Sequence, residues 1–155
     1  MIIKCKPLVC SLLLSLGVGA LAGLISKDSM QTYRELIKPA LSPSGWVFPV
    51  VWTILFTLMG ISAYLVSISK SPNRKLALYY YFIQLAINFL WPILFFNLEI
   101  YLFSFVWLVL LWVFIMLMIL EIRKVNEKAA NLQIPYLLWV TFAGYLNFTI
   151  YILNK

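Results

Sequence analysis

The sequence predicts an all-α membrane protein: a bundle of five transmembrane helices with short connections and a long first loop that carries a short helix. Three observations predict it. Five uncharged apolar runs of 20 to 25 residues fill the chain, each long enough at about 1.5 Å per residue to cross about 30 Å of hydrocarbon. Hydrophobic residues make up 64% of the 155 and charged residues 11%, which leaves too few charges to solvate a globule of this size. The runs do not alternate apolar with polar residues as barrel strands would, and in lipid only helices or closed barrels satisfy the backbone. The linkers are too short for a soluble domain, so residues 1–155 read as one membrane domain with spans near 7–26, 45–69, 76–98, 100–120 and 129–153.

The first run, PLVCSLLLSLGVGALAGLIS, follows Lys4 and Lys6 and could be taken for a secretory signal. Its 20 residues exceed the 7–15 of a signal core. Ser15, Gly19 and Gly23 also recur at the four-residue spacing that lets two membrane helices approach closely. Lipid-facing filler is the other use open to these small residues. The first loop, KDSMQTYRELIKPALSPSG, offers Thr32 and Glu35 at capping-box spacing, with Tyr33, Leu36 and Ile37 on one face of a short helix that Pro39 must end. A helix this short is marginal alone. It is expected to dock as a lid on the bundle mouth or on a ligand, the alternative being a mobile external loop.

In the second run, Trp46 near the start suits an interfacial anchor, whereas Trp52 lies deeper. The third run places Gln84, Asn88, Trp91 and Phe95 at i, i+4, i+7 and i+11 on one helical stripe, with Pro92 expected to kink the helix beside them. Trp107 and Trp112 in the fourth run read as belt or packing residues. In the fifth run Trp139, Ala143 and Asn147 share a stripe. Amides in lipid are costly unless paired, so Gln84, Asn88 and Asn147 should face the bundle interior. Interhelical bonding and ligand contact are both open for Gln84 and Asn147; Asn88, one turn from Trp91, is expected to contact a ligand. Trp52, Trp91 and Trp139 can converge from three helices. Such walls suit a flat, largely apolar ligand, since offset stacking adds roughly 0.5–1.5 kcal/mol per aromatic pair.

Several function classes are excluded. Asp28, Glu35, Glu99, Glu121 and Glu127 all lie in loops or at helix ends, whereas ion-coupled pumps and exporters of cationic drugs need an ionisable group at membrane depth. No histidine is present, which removes the usual haem ligand, the usual general base and any ordinary zinc site. Cys5 and Cys10 lack further ligands nearby and read as inert side chains, so no metal site is expected. Neither a P-loop nor a glycine-rich dinucleotide fingerprint occurs, and no built-in cofactor is expected.

Five spans place the termini on opposite sides. The twelve Lys and Arg then divide eight against four, with Lys27, Arg34, Lys38 and Lys155 on the poorer side. The positive-inside rule puts the N-terminus in the cytoplasm and the C-terminus outside, in a bacterial plasma membrane. Topology and anionic headgroups account for much of the net charge of +7, and nucleic acid is not expected as a partner.

The stretch PSGWVFPVVWTILFTLMGISAYLV resembles the second-helix signature of the TspO/MBR family, the translocator or tryptophan-rich sensory proteins. QLAINFLWPILFF resembles their third-helix signature and PYLLWVTFAGYLNF their fifth, so the likeness covers nearly the whole chain. The resemblance implies a five-helix bundle, often dimeric, that binds porphyrins such as protoporphyrin IX, and isoquinoline or benzodiazepine drugs, in a pocket closed by the first loop. Family pocket positions match at Tyr33, Pro43, Trp52, Phe56, Asn88, Trp91, Trp139, Ala143 and Leu146. It further implies light- and oxygen-dependent porphyrin breakdown, with Trp52 and Trp139 in the redox step and the porphyrin as ligand or substrate. Membrane lipid and a second copy of the chain are the other expected partners.

Two departures limit the transfer. Many members carry a Trp and paired prolines before the second helix, where this chain has Leu41, Pro43 and Ser44. The tyrosine of the sterol motif corresponds to Phe148, and Leu146, Tyr151 and Lys155 fit the loose pattern only in another register, so a cholesterol role is not expected. Two readings follow: a porphyrin-binding protein that promotes photo-oxidative degradation without an acid-base site, or a non-catalytic tetrapyrrole sensor, receptor or carrier in a stress response.

Overall fold

The computed structural model describes residues 3–155, and among them the secondary structure is entirely helical. Helix α1 (Cys5–Ser26) passes through a 3-10 turn (Lys27–Ser29) into the short α2 (Met30–Glu35). Then come α3 (Val47–Ser67), α4 (Arg74–Pro92), α5 (Tyr101–Arg123), α6 (Glu127–Asn131) and α7 (Ile134–Leu153). Helices α1, α3, α4, α5 and α7 are long and apolar enough to cross a membrane. Pro92 does not stop the third span. The chain continues as a π-helical turn, Ile93–Asn97, in which the Leu98 N–H donates to the Ile93 carbonyl at 3.0 Å, the wider register that a missing proline N–H favours.

The expected fifth run is split. Asn126 caps α6, its side chain accepting from the Ala129 N–H at 3.0 Å, and Pro135 then sits in the first turn of α7, where its missing N–H is harmless.

The bundle packs α1 against α3 and α4, α4 against α5, and α5 against α7. Small residues set the closest approach. A methyl group on Gly60 would lie 2.7 Å from the Ser15 hydroxyl oxygen and 3.0 Å from the Leu12 Cα, and one on Gly19 would collide with the Phe56 ring. Gly23, the third member of the spaced series, meets open space instead. Helices α3 and α7 are bridged by rings: Trp52 lies 6.2 Å from Tyr136, and Phe48 6.0 Å from Trp139, both edge to face. Met59, Val66, Leu111, Ile115 and Met118 are fully buried between the helices. Leu13 and Val106 point outward, where lipid covers such faces.

The loop helix forms by other means than a capping box. Thr32 lies inside α2 and Glu35 ends it, and no side chain caps its start. The preceding turn is already helical, so the Met30 N–H is satisfied by the Lys27 carbonyl. The helix also stops before Pro39 and before Leu36 and Ile37 can join its face. The Lys38 ammonium donates to the Tyr33 and Arg34 carbonyls at 2.8 and 3.0 Å, satisfying the helix end. Ile37 is then pinned at both backbone groups by Asn154 at the end of α7: its N–H donates to Oδ1 at 3.0 Å and its carbonyl accepts from Nδ2 at 2.8 Å. Tyr33 remains as the docking residue, buried against Phe48, Phe95 and Phe96 at 5.6 to 6.4 Å between ring centres.

Candidate functional site

Between α1, the docked loop, α3 and α4 lies a cavity of about 1100 Å³, just above the roughly 300–1,000 Å³ usual for ligand pockets. One wall comes from α3, where Phe48, Trp52 and Phe56 recur every four residues and so share a face. Trp52 and Phe56 lie 5.6 Å apart, tilted by 32°. Asn88 and Trp91 of α4 form the facing wall. The α1 side is low because Gly19 and Gly23 present no side chain there.

A second row of polar side chains holds the α4 wall in place. The Asn88 amide donates to the Tyr136 hydroxyl at 2.6 Å, and that hydroxyl donates to Gln84 Oε1 at 2.8 Å. The Trp91 indole donates to Asn147 Oδ1 at 3.1 Å, and the ring stacks on Phe95 at 5.4 Å. Asn147 Oδ1 also accepts from the Ser104 hydroxyl at 3.0 Å, while its Nδ2 donates to the Tyr101 carbonyl at 2.8 Å. One amide therefore ties α4, α5 and α7 together behind a wall tryptophan. Gln84 and Asn147 are engaged in interhelical bonding, and Asn88 lines the cavity as well as bonding across to α7.

Tyr33, Pro43, Trp52, Phe56, Asn88 and Trp91 all line this cavity. Ala143 and Leu146 do not; they border a narrow void of about 10 Å³ against α7, which shares Tyr33, Phe48, Trp91 and Phe96 with the larger space. Trp139 lines neither. It packs edge-on against Phe48 and beside Phe142 at 5.6 Å, with its indole nitrogen buried and without a hydrogen-bond partner. The other tryptophans separate by environment: Trp46 is exposed at the cavity mouth, Trp107 donates to the Ile87 carbonyl at 2.8 Å, and Trp112 donates to the Thr141 hydroxyl at 2.9 Å.

Sequence reasoning passed over Phe48, Phe96 and Tyr136. Phe48 was discoverable as the residue four before Trp52, and Tyr136 as the residue seven before Ala143. Phe96 carried no such signal, because the π turn after Pro92 shifts its phase. Chemically the walls offer stacking faces, indole electrons and one amide, and no carboxylate lines them. Such a site can bind a flat apolar ring and exchange electrons with it, and its proton-bearing side chains, Lys27, Tyr33, Arg34 and Lys38, come from the first loop and the turn before it rather than from the ring-bearing walls.

The TspO/MBR family profile matches residues 11–153. The chain is 40% identical to the tryptophan-rich protein TspO of Chlorobaculum tepidum over 144 residues, covering 91% of each protein. It is 38% identical to the tryptophan-rich protein TspO of Archaeoglobus fulgidus over 148 residues, 95% of this chain and 96% of that one. It is also 31% identical to the human translocator protein over 142 residues, 88% of this chain and 83% of the relative. With five helices able to span a membrane and a match over nearly its full length, the chain belongs to the TspO/MBR family of integral membrane proteins.

Proposed function

We propose that the protein binds porphyrins such as protoporphyrin IX in the cavity under the first loop and promotes their light- and oxygen-dependent degradation. The cavity wall carries this reading: Trp52, Phe56, Trp91 and the Asn88 amide surround about 1100 Å³ with rings and one polar anchor. A flat macrocycle gains stacking on such faces, and isoquinoline or benzodiazepine-type drugs meet the same requirement. Light excites the bound porphyrin, dioxygen is the terminal electron acceptor that oxidises the macrocycle, and the Trp52 indole on the wall relays an electron between them, ending each turnover in the state in which it began. Trp139 stands one ring behind, against Phe48, and acts through that ring. The same reading places the protein in a bacterial plasma membrane, N-terminus inside, as a homodimer surrounded by lipid.

The position of Trp139 off the wall favours a second reading, a non-catalytic sensor, receptor or carrier of tetrapyrroles. Illumination of purified protein with protoporphyrin IX, in air and under argon, separates the two. Degradation yields a new absorbing product only with protein, light and oxygen together. Bleaching at the rate seen in detergent alone leaves the binder.

A further inference from the structure

Below the cavity floor the interior of the bundle turns polar. Asn88 lines the cavity and donates to the Tyr136 hydroxyl, which donates in turn to Gln84 Oε1. Past that chain, away from the cavity, stand polar side chains with unmet hydrogen bonds. Gln84 Nε2, the Tyr81 hydroxyl and both polar atoms of Gln133 have no partner among the described residues, although Gln84 and Gln133 are 0% exposed and Tyr81 is 1% exposed. Helix geometry groups them. Tyr81 precedes Gln84 by about one turn of α4, and Gln133 precedes Tyr136, the residue that Gln84 accepts from, by about one turn at the start of α7. These are the third and fifth spans, which run in the same direction, so both turns lie on the same side of that hydrogen bond.

We propose that Tyr81, Gln84 and Gln133 form a binding site for internal water. The donor set selects the ligand. Two amide nitrogens donate, Gln133 Oε1 accepts, and the Tyr81 hydroxyl does either, so the ligand must both donate and accept. An ion is disfavoured, because no group of His, Cys, Asp or Glu able to hold a metal occurs among the described residues, and a bare charge at this depth would lack a counter-charge. A dry interior would leave four polar atoms unpaired, each at a cost in free energy, whereas about two buried waters, each making about three hydrogen bonds, pair them all. The waters complete the Gln84 amide, whose Oε1 anchors Tyr136 and, through it, Asn88 at the cavity floor. The site needs no ligand in the cavity above.

The test is radiolytic hydroxyl-radical labelling of the full chain in nanodiscs, with no ligand added, read by mass spectrometry. Radicals made in bulk water do not reach a fully buried ring, whereas radicals made from a bound water modify the side chain that holds it. Tyr81 should be modified in the native protein. Gln133→Leu should cut that modification several-fold and leave the labelling of Tyr33, in the loop, unchanged as a marker of the fold. Thermal unfolding of the same variant gives a second reading. Replacing a dry, unpartnered amide by leucine raises the unfolding midpoint, whereas replacing a water-paired one leaves it unchanged or lowers it. An unmodified Tyr81 in the native protein, undiminished modification in Gln133→Leu, or a raised midpoint would each overturn the water site. Should Gln133→Leu fail to fold, the native Tyr81 reading decides alone.

Discussion

Asn147 is the side chain on which the orientation of the α4 wall depends, and replacing it tests that dependence quantitatively. It is fully buried and makes three interhelical hydrogen bonds, to Trp91, Ser104 and Tyr101. Asn147→Leu keeps the branched shape and the number of side-chain heavy atoms, at a somewhat larger volume, and deletes all three. At about 0.6 kcal/mol per interhelical bond in a membrane, the loss is about 2 kcal/mol, and the buried Trp91 N–H left without an acceptor raises it further. That corresponds to roughly 30-fold in the unfolding equilibrium. The assay is reversible denaturation in mixed detergent micelles followed by circular dichroism, with Trp91→Phe and the double variant completing a cycle. The coupling between the two positions should be about 0.6–1.7 kcal/mol. Porphyrin affinity should fall as well, because the untethered indole no longer holds its place on the wall. A coupling below about 0.3 kcal/mol, inside ordinary additivity error, would refute the claim that Asn147 positions Trp91.

Gly60→Ala should destabilise the bundle by about 1–3 kcal/mol, because the added methyl meets the Leu12 Cα at 3.0 Å as well as the Ser15 and Leu12 side chains, and the backbone atom cannot turn aside. Gly17→Ala, which meets open space, should be neutral or slightly stabilising, and equal stabilities would contradict the α1–α3 packing. Asn154→Ala frees both backbone groups of Ile37 and should speed tryptic cleavage after Arg34 several-fold without changing helix content, the Lys38–Pro39 bond being resistant to trypsin. Unchanged cleavage would mean that Tyr33 alone holds the loop. For the proposed orientation, single cysteines at Lys75 and Lys155 should label from opposite faces of the membrane; labelling from one face would overturn it.

The spans were legible because hydrocarbon imposes a long uncharged run on each crossing helix, and five such runs leave little else to choose. The stripe from Gln84 to Phe95 was legible for a related reason, since polar and aromatic residues at helical spacing must share a face, and all four of its members are buried. What the sequence hid was the partner of each. Its place one turn from Trp91 set Asn88 apart as a cavity residue, but nothing in the pattern decided the role of Asn147; that lies in which neighbouring helix offers Ser104 and the Trp91 indole. The loop helix was misread at both ends for local reasons. Its start inherits helical geometry from the turn after α1, which makes the Thr32–Glu35 box unnecessary, and its end is fixed by Lys38 and the distant Asn154. Trp139 shares a helical face with Ala143, yet Phe48 comes between it and the cavity, a contact that only tertiary structure supplies.

The most direct measurement is the absorbance of bound protoporphyrin IX under controlled light in air, for the native protein, Trp52→Phe and Trp139→Phe at matched binding saturation. Trp52 faces the cavity and Trp139 sits one ring away. The expected result is a new absorbing product with native protein, near-complete loss in Trp52→Phe, and a smaller loss in Trp139→Phe. Identical bleaching by all three would contradict wall-tryptophan redox chemistry and leave a binding protein.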